Sequence, residues 1–201
     1  MNNLELVSKR MDKVVNNYNK FELSSYHLKN IHKNLFSGIV DNAGEYRCIN
    51  LSKSEDILDG DSVLYAIYYN IDRYMDYDIC DEVVKNYSKM SNDEVVNSIS
   101  DFTIRLWSTH PFRDGNTRSI SVFIRQYLKK LGFTFDDSLF ITHFDYFRNA
   151  LVRAIYSKGT IHSDESFLNL FYEKLLFNKD IILDETALYL KGTDIKKRIR
   201  V

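Results

Sequence analysis

The stretch SNDEVVNSISDFTIRLWSTHPFRDGNTRSISVFIRQYLKKLG, residues 91–132, decides the fold class. Its first part has the form of a capping box, in which Ser91 and Glu94 precede apolar residues at helical spacing. Its second part, residues 117–131, carries one broad apolar face and stops at Gly132, a residue type that commonly ends helices. The stretch therefore predicts two helices with a short break between them. The two apolar faces consist of Val95, Ile99, Phe102 and Leu106, and of Ile120, Phe123, Ile124, Tyr127, Leu128 and Leu131.

Helical periodicity continues on both sides of this stretch. Residues 62–75 carry apolar side chains at spacings of three and four, and Thr142 and Ser163 stand where the caps of two later helices are expected. One proline and seven glycines in 201 residues suit helices far better than a turn-rich sandwich or barrel. The sequence therefore predicts an all-α bundle.

Residues 38–60, GIVDNAGEYRCINLSKSEDILDG, interrupt the helical pattern. They contain glycines and a short alternation of apolar and polar residues from Arg47 to Leu51. Periodicity alone leaves two interpretations equally open, a small β-hairpin or flap between helices and an ordinary surface loop.

Composition excludes several classes of protein. Lys and Arg number 27 and Asp and Glu number 28, so the net charge gives no broad field for nucleic acid or an anionic membrane. The polar N-terminal stretch lacks the apolar run of a signal peptide, and no window approaches the roughly 18 apolar residues of a membrane span. Cys48 and Cys80 form no disulfide framework. We expect a soluble, cytoplasmic protein without nucleic-acid or membrane partners, in which the basic tail KGTDIKKRIRV complements a helix dipole.

The break between the two helices, HPFRDGNTR at residues 110–118, carries the candidate chemistry. Pro111 stops the first helix and biases His110 toward extended geometry on a bend. Residues 113–117 lead into a helix N-terminus, whose unpaired N–H groups and partial positive charge suit a phosphate. Gly115 lets the backbone approach such an anion closely.

The side chains of this segment supply the remaining parts of a phosphoryl-transfer site. Asn116 offers an amide donor, and Arg118 offers a planar fork for phosphate oxygens. Asp114 is a hard oxygen ligand of the kind that Mg²⁺ prefers, and His110 can accept a proton near neutral pH. Each residue alone has an ordinary structural explanation. The ordered set predicts transfer at a phosphorus centre, where the protein mainly positions groups and stabilises charge.

The segment HPFRDGNTR resembles the signature of the Fic family, His-Pro-Phe-x-(Asp/Glu)-Gly-Asn-x-Arg, at every fixed position. Residues 31–36 and 43–47, IHKNLF and AGEYR, resemble the family's segment that leads into its flap. Residues 147–151, FRNAL, resemble the helix after the motif helix. The likeness covers about residues 25–176. It implies one Fic-like domain of the single-domain bacterial type over residues 1–201, with a β-hairpin flap and a helical tail at 180–201.

The resemblance also implies an activity, that of a protein adenylyltransferase using ATP and Mg²⁺. His110 would be the general base for a target hydroxyl, Asp114 would hold the metal ion, and Arg118 would grip the phosphates. A flap of this kind would hold the target's backbone as an added strand. The implied nucleotide contacts are Arg113, Gly115, Asn116, Thr117 and Arg118, and the implied docking residues are Arg47, Ile49 and Lys53.

The sequence departs from the longer family signature at Ser121, where relatives carry a second arginine. In relatives that arginine binds the terminal phosphate and pairs with an inhibitory glutamate. Arg125 lies one turn further on, on the same side as Arg118, and either substitutes in part or is a surface arginine. Residues 8–12 come nearest to the inhibitory motif but end in Asp12. We therefore expect no intramolecular inhibition, and an activity that trimming either terminus does not raise.

Two other functions stay open beside AMP transfer to a protein. One is a related phosphotransfer, either kinase-like or moving another nucleotide monophosphate, although Gly115 favours nucleotide-monophosphate transfer. The other is a non-catalytic nucleotide-binding module. The expected partner is a target protein with a free hydroxyl, and self-association or an antitoxin partner is open.

Overall fold

All regular structure in the described part of the chain is helical, which confirms the predicted fold class. The computed structural model describes residues 2–190. Single 3-10 turns lie at Tyr18–Lys20, Asp56–Leu58, Tyr68–Asn70, Tyr87–Lys89 and Glu185–Leu188. The α-helices are α1 (Asn3–Val15), α2 (Ser25–Phe36), α3 (Ile71–Val83), α4 (Asn92–Thr109), α5 (Asn116–Lys130), α6 (Leu139–Thr142), α7 (Phe144–Ile155) and α8 (Ser166–Phe177).

The chain divides into two compact units. Among the described residues, the first comprises 2–50, Ala66–Met90 and Arg105–Phe135; the second comprises Leu51–Tyr65, Ser91–Ile104 and 136–190. In the first unit α5 packs against α1 and α2, and α2 also packs against α3. In the second unit α7 packs against α8, α6 and the 3-10 turn at Glu185–Leu188.

Both helices predicted on either side of the break are present. The capping box of α4 is reciprocal, because the Ser91 N–H donates to Glu94 Oε2 at 2.7 Å and the Glu94 N–H donates to Ser91 Oγ at 3.3 Å. Helix α5 ends as predicted at Gly132, which has a φ of 92°. The Phe133 N–H then donates to the Leu128 carbonyl at 3.1 Å, the 6→1 bond of a Schellman motif.

Aromatic side chains form the core of the second unit. The rings of Phe140, Phe147 and Phe171 pack at centroid distances of 5.0 to 5.2 Å. Beside them, the buried hydroxyl of Tyr172 is hydrogen-bonded to Thr103 Oγ1 at 2.8 Å. The core therefore satisfies its polar group internally, as burial requires.

Three predicted helix starts are wrong. The periodicity at 62–75 produces a helix only from Ile71, because the Ala66 N–H donates to the Ser108 carbonyl at 3.2 Å and holds the preceding chain in a non-helical path. Thr142 ends α6 instead of capping α7, and its hydroxyl donates to the Ser138 carbonyl. Helix α8 starts at Ser166 rather than after Ser163, since the carboxylate of Asp164 accepts the Ser166 N–H at 3.0 Å.

The segment at 38–60 contains turns and one 3-10 turn, and residues 2–190 as a whole contain no β-strand. A single antiparallel bridge joins Ser54 to Ser62 in place of the predicted hairpin. Residues 180–190 contain one 3-10 turn, while the predicted helical and basic tail at 191–201 lies outside the described residues. No helix within 2–190 has both the length and the apolar character needed to cross a bilayer.

Candidate active site

The loop at residues 110–118 begins with a left-handed bend. Helix α4 ends at Thr109, and His110 has a φ of 47° instead of the extended geometry that its position before Pro111 predicted. The His110 N–H donates to the Trp107 carbonyl at 3.0 Å, which closes the last helical turn. A left-handed backbone costs a residue with a Cβ roughly 1–2 kcal/mol, and such strain persists only where the surroundings hold it. The side chain of His110 is 3% exposed.

Arg47 has an internal role in place of the predicted contact with a target. The residue is 6% exposed, and its Nε donates to the His110 carbonyl at 2.8 Å. Its Nη1 donates to the Ile49 carbonyl at 2.6 Å, and its Nη2 donates to the carbonyls of Ala66 and Thr109. The guanidinium is thus committed to the chain's own backbone, which corrects its assignment as a docking residue.

Asn116 holds the two ends of the loop together. Its Oδ1 accepts the Phe112 N–H at 2.8 Å, and its Nδ2 donates to the Phe112 carbonyl at 2.7 Å. Phe112 itself is fully buried. One of the two Nδ2–H donors of Asn116 is thus used within the loop, and the second Nδ2–H and the backbone N–H remain for its predicted donation to an anion.

Gly115 caps α5 with a φ of 75°, and its Cα lies against the ring of Phe36. A Cβ at this position would stand 2.4 Å from Phe36 Cε2, so only glycine fits without movement. The Gly115 N–H donates to Asp114 Oδ1 at 2.7 Å and orients that exposed carboxylate. The N–H groups of the first turn of α5 have no earlier helical carbonyl to bond, and they are the donors on which the predicted anion cradle depends.

His32 lies in the segment IHKNLF, but the sequence assigned this residue no individual role in the site. Its Nδ1 accepts the Gly44 N–H at 2.8 Å, so Nε2 carries the proton that is donated to the Asp114 carbonyl at 3.0 Å. The imidazole stacks on the Phe112 ring at 3.8 Å. Burial lowers the pKa of His32 and favours this neutral form. A histidine at a buried helical position looks the same in sequence as any core residue.

Trp107 connects the end of α4 to the start of α5. Its Nε1 donates to Thr117 Oγ1 at 2.9 Å, and its ring packs edge-on against the imidazole of His110 at 5.3 Å. The hydroxyl oxygen of Thr117 therefore accepts a hydrogen bond within the protein, while its O–H and the backbone N–H can still donate to a nucleotide. The residue pattern of α4 did not indicate this role of Trp107.

The remaining predicted site residues differ in placement. Arg113 and Ile49 are exposed, Arg118 is half-buried, and Lys53 belongs to the second unit, in the segment Leu51–Tyr65. Arg125 is only 3% exposed, so its interpretation as a surface arginine is wrong.

The loop fits Mg²⁺ only as a shared site. Within residues 2–190, no three His, Cys, Asp or Glu side chains form a cluster that could hold a metal ion. Mg²⁺ is commonly bound by one or two carboxylates together with substrate phosphates and water. The exposed, oriented carboxylate of Asp114, beside the predicted phosphate cradle, matches that donor set.

The chain belongs to the Fic/DOC family, whose sequence model matches residues 22–128, more than half of its length. It is 29% identical over 119 residues to the protein adenylyltransferase VbhT of Bartonella schoenbuchensis, an alignment that covers 58% of this chain and 23% of VbhT. The chain thus spans about a quarter of the length of that curated relative.

Solved structures show the same fold. The N-terminal FIC domain of Bep8 from Bartonella sp. 1-1C matches with a TM-score of 0.65 and 21% identity, covering 90% of this chain and 88% of that domain. BepC of Bartonella tribocorum, solved with bound AMPPNP, matches with a TM-score of 0.65 and 20% identity, covering 86% and 85% of the two chains.

Proposed function

We propose that this chain is a protein adenylyltransferase, which transfers AMP from ATP to a hydroxyl side chain of a target protein with Mg²⁺ as cofactor. The observation that carries the proposal is the geometry of one loop. The imidazole of His110 lies on a strained bend, a few residues before the helix N-terminus that Gly115 caps. The name of VbhT and the nucleotide analogue bound by BepC support the same reaction class.

In the proposed reaction, His110 accepts the proton of the target hydroxyl while that oxygen bonds to the α-phosphorus. The bond from the α-phosphorus to the oxygen bridging to the β-phosphate breaks, and pyrophosphate leaves with the electron pair. The first-turn N–H groups of α5 and the guanidinium of Arg118 stabilise the negative charge that moves onto the phosphates.

Asp114 is the residue that would hold Mg²⁺, and the ion when bound neutralises phosphate charge. The hydrogen bond from the Gly115 N–H to Asp114 Oδ1 keeps the carboxylate oriented before the ion arrives. Arg113, which is exposed, and the backbone N–H groups of Asn116 and Thr117 are the further proposed nucleotide contacts. Ile49, 45% exposed, and Lys53 remain the proposed contacts to an added strand of the target.

The partner in this proposal is the hydroxyl-bearing target protein. Self-association and an antitoxin partner stay predictions from the sequence. A bacterial cytoplasm is the proposed compartment, and Cys48 and Cys80, both exposed free thiols, fit its reducing conditions.

The experiment measures whether a labelled phosphate of ATP is transferred to protein. The full chain is incubated with Mg²⁺ and bacterial lysate, with ATP labelled at the α- or the γ-phosphate. We expect label from the α-phosphate alone, lost in His110→Ala and in EDTA but retained in His162→Ala, a variant at an exposed histidine. Label from the γ-phosphate would instead establish a kinase. No label from either position, with nucleotide binding retained, would leave a binding module.

A further inference from the structure

We propose that Arg47 is the positioning residue of the base-bearing bend, holding the backbone of His110 in its left-handed conformation. This inference rests on the proposed role of His110 as general base. Arg47 binds three successive backbone carbonyls of the bend, from Thr109 to Pro111. Its Nη2 donates to Thr109 O at 3.3 Å, its Nε donates to His110 O at 2.8 Å, and its own backbone N–H donates to Pro111 O at 2.8 Å.

These contacts meet two needs of the bend at once. The last carbonyls of a helix have no partner within the helix and carry partial negative charge, and proline at 111 removes the N–H that would continue the ladder. A buried guanidinium supplies both the donors and the positive charge at that point. The His110 φ of 47° requires such support, because a left-handed backbone is unfavourable for any residue that has a Cβ.

The same guanidinium also fixes the two chain segments beside the bend. Nη1 donates to the Ile49 carbonyl at 2.6 Å, and Nη2 donates to the Ala66 carbonyl. Lysine at this position would keep the charge but lose the planar fork that reaches several carbonyls together. Arg47→Lys is therefore expected to loosen the bend without removing positive charge.

The experiment compares Arg47→Lys with Arg73→Lys, a matched change at an exposed arginine of α3 in the same unit. We expect Arg47→Lys to lower kcat for AMP transfer by about 10- to 100-fold, since small misplacement of a reacting group costs rates of that order. Its calorimetric affinity for ATP with Mg²⁺ should stay within about threefold of wild type. Arg73→Lys should change neither quantity.

A double-variant cycle separates positioning from general damage. If Arg47 acts through His110, Arg47→Lys should cause no further fall in the residual rate of AMP transfer that His110→Ala retains. Additive losses, or an unchanged kcat, would overturn the inference. Arg47→Gln replaces the lysine variant should that one not fold by circular dichroism. If neither folds while Arg73→Lys does, Arg47 holds the whole unit and the inference fails.

A readout independent of catalysis distinguishes failure of this inference from failure of the proposed function. The ring ¹⁵N resonances of His110, assigned by their loss in His110→Ala, should shift in Arg47→Lys and not in Arg73→Lys. If no AMP transfer is found but this shift occurs, the reaction is wrong and the positioning holds. If transfer is found and the resonances and kcat are unchanged, the positioning is wrong.

Discussion

Gly115 has a φ of 75° and contacts the ring of Phe36, which leaves no room for a side chain. A substitution there is therefore unfavourable for two separate reasons, the left-handed backbone and the steric clash. Gly132, at the other end of α5, has a φ of 92°, and a Cβ added there would meet nothing within 4 Å. Comparing the two glycines therefore separates the effect of backbone strain from the effect of a steric clash. The two positions flank the same helix, α5, so the comparison is made within one element.

Gly115→Ala is expected to lower the free energy of unfolding by clearly more than Gly132→Ala. The second variant carries only the left-handed strain of roughly 1–2 kcal/mol, whereas the first must also displace Phe36. Urea unfolding of the two variants measures the difference, and nucleotide affinity should fall only in Gly115→Ala. Equal losses of stability in the two variants would show that the ring of Phe36 can move aside without cost. The contact between Gly115 and Phe36 would then contribute nothing to stability.

His32→Phe tests the two hydrogen bonds that this imidazole makes. Phenylalanine keeps the stacking on Phe112 but leaves the Gly44 N–H and the Asp114 carbonyl unsatisfied, at a cost of about 2 kcal/mol or more. His27→Phe is the comparison, because His27 is half-buried and has one such bond, to Gln126 Oε1 at 2.8 Å. Thermal unfolding gives both values. A loss at His32 no larger than that at His27 would refute the bridging role.

At the scale of elements, the sequence correctly predicted those features that depend only on residues close to each other in the chain. The capping box at Ser91, the break at Pro111 and the stop at Gly132 depend on residues within a few positions of each other. The role of His32 depends on Asp114, 82 residues away, and the role of Arg47 on carbonyls more than 60 residues away. Motif spacing could indicate the candidate base and the candidate cradle, but not His32 and Arg47, which contact their backbone from far away in the sequence.

The same reason explains the absence of the predicted hairpin. Arg47 opens the expected strand, yet its N–H donates to Pro111 and its guanidinium to other loop carbonyls, so the alternation forms no ladder. The segment Leu51–Tyr65 is held instead by side chains in its own unit. Glu55 pairs with Arg148, and Asp61 accepts from Lys158 at 2.7 Å and from Tyr156 at 2.8 Å.

Asp61 gives this segment a pH-dependent stability. The hydrogen bond from Lys158, followed by those from Ser62 and Tyr156, lowers the pKa of the Asp61 carboxyl in the folded state. Its stabilising contribution is therefore present above the unfolded value of about 3.9 and is lost as pH falls through the folded value. Asp61→Asn should be less stable than wild type at pH 7, and the gap should close on acidification.

Unfolding midpoints of both proteins between pH 7 and pH 3 test this sign. Asp59→Asn, at an exposed position of the same segment, is the control for replacing one carboxylate in this segment by an amide. A gap between Asp61→Asn and wild type that widens toward acid would mean that the carboxyl is not favoured in its charged form.

For the molecule as a whole, the position of α1 bears on whether the N-terminus restrains activity. Arg10 Nη1 donates to the carbonyls of Leu35 and Ser37 at 2.9 Å each, at the end of α2, and Gln126 Nε2 of α5 donates to the Val14 carbonyl at 2.6 Å. Val7 and Val15 are buried. Helix α1 thus contributes to the core of the first unit, and it is hydrogen-bonded both to the end of α2 and to α5.

Removing residues 1–15 should therefore destabilise the protein and leave its activity no higher. Burial of two valines contributes about 1.5–3 kcal/mol each, and at about 2–4 °C per kcal/mol for a chain of this size the Tm should fall by roughly 6–24 °C. Removal of residues 191–201 serves as the comparison and should not raise activity either. AMP transfer measured below the lower Tm decides the matter, because a shortened chain that labels its target several-fold faster than wild type would show that α1 inhibits the site.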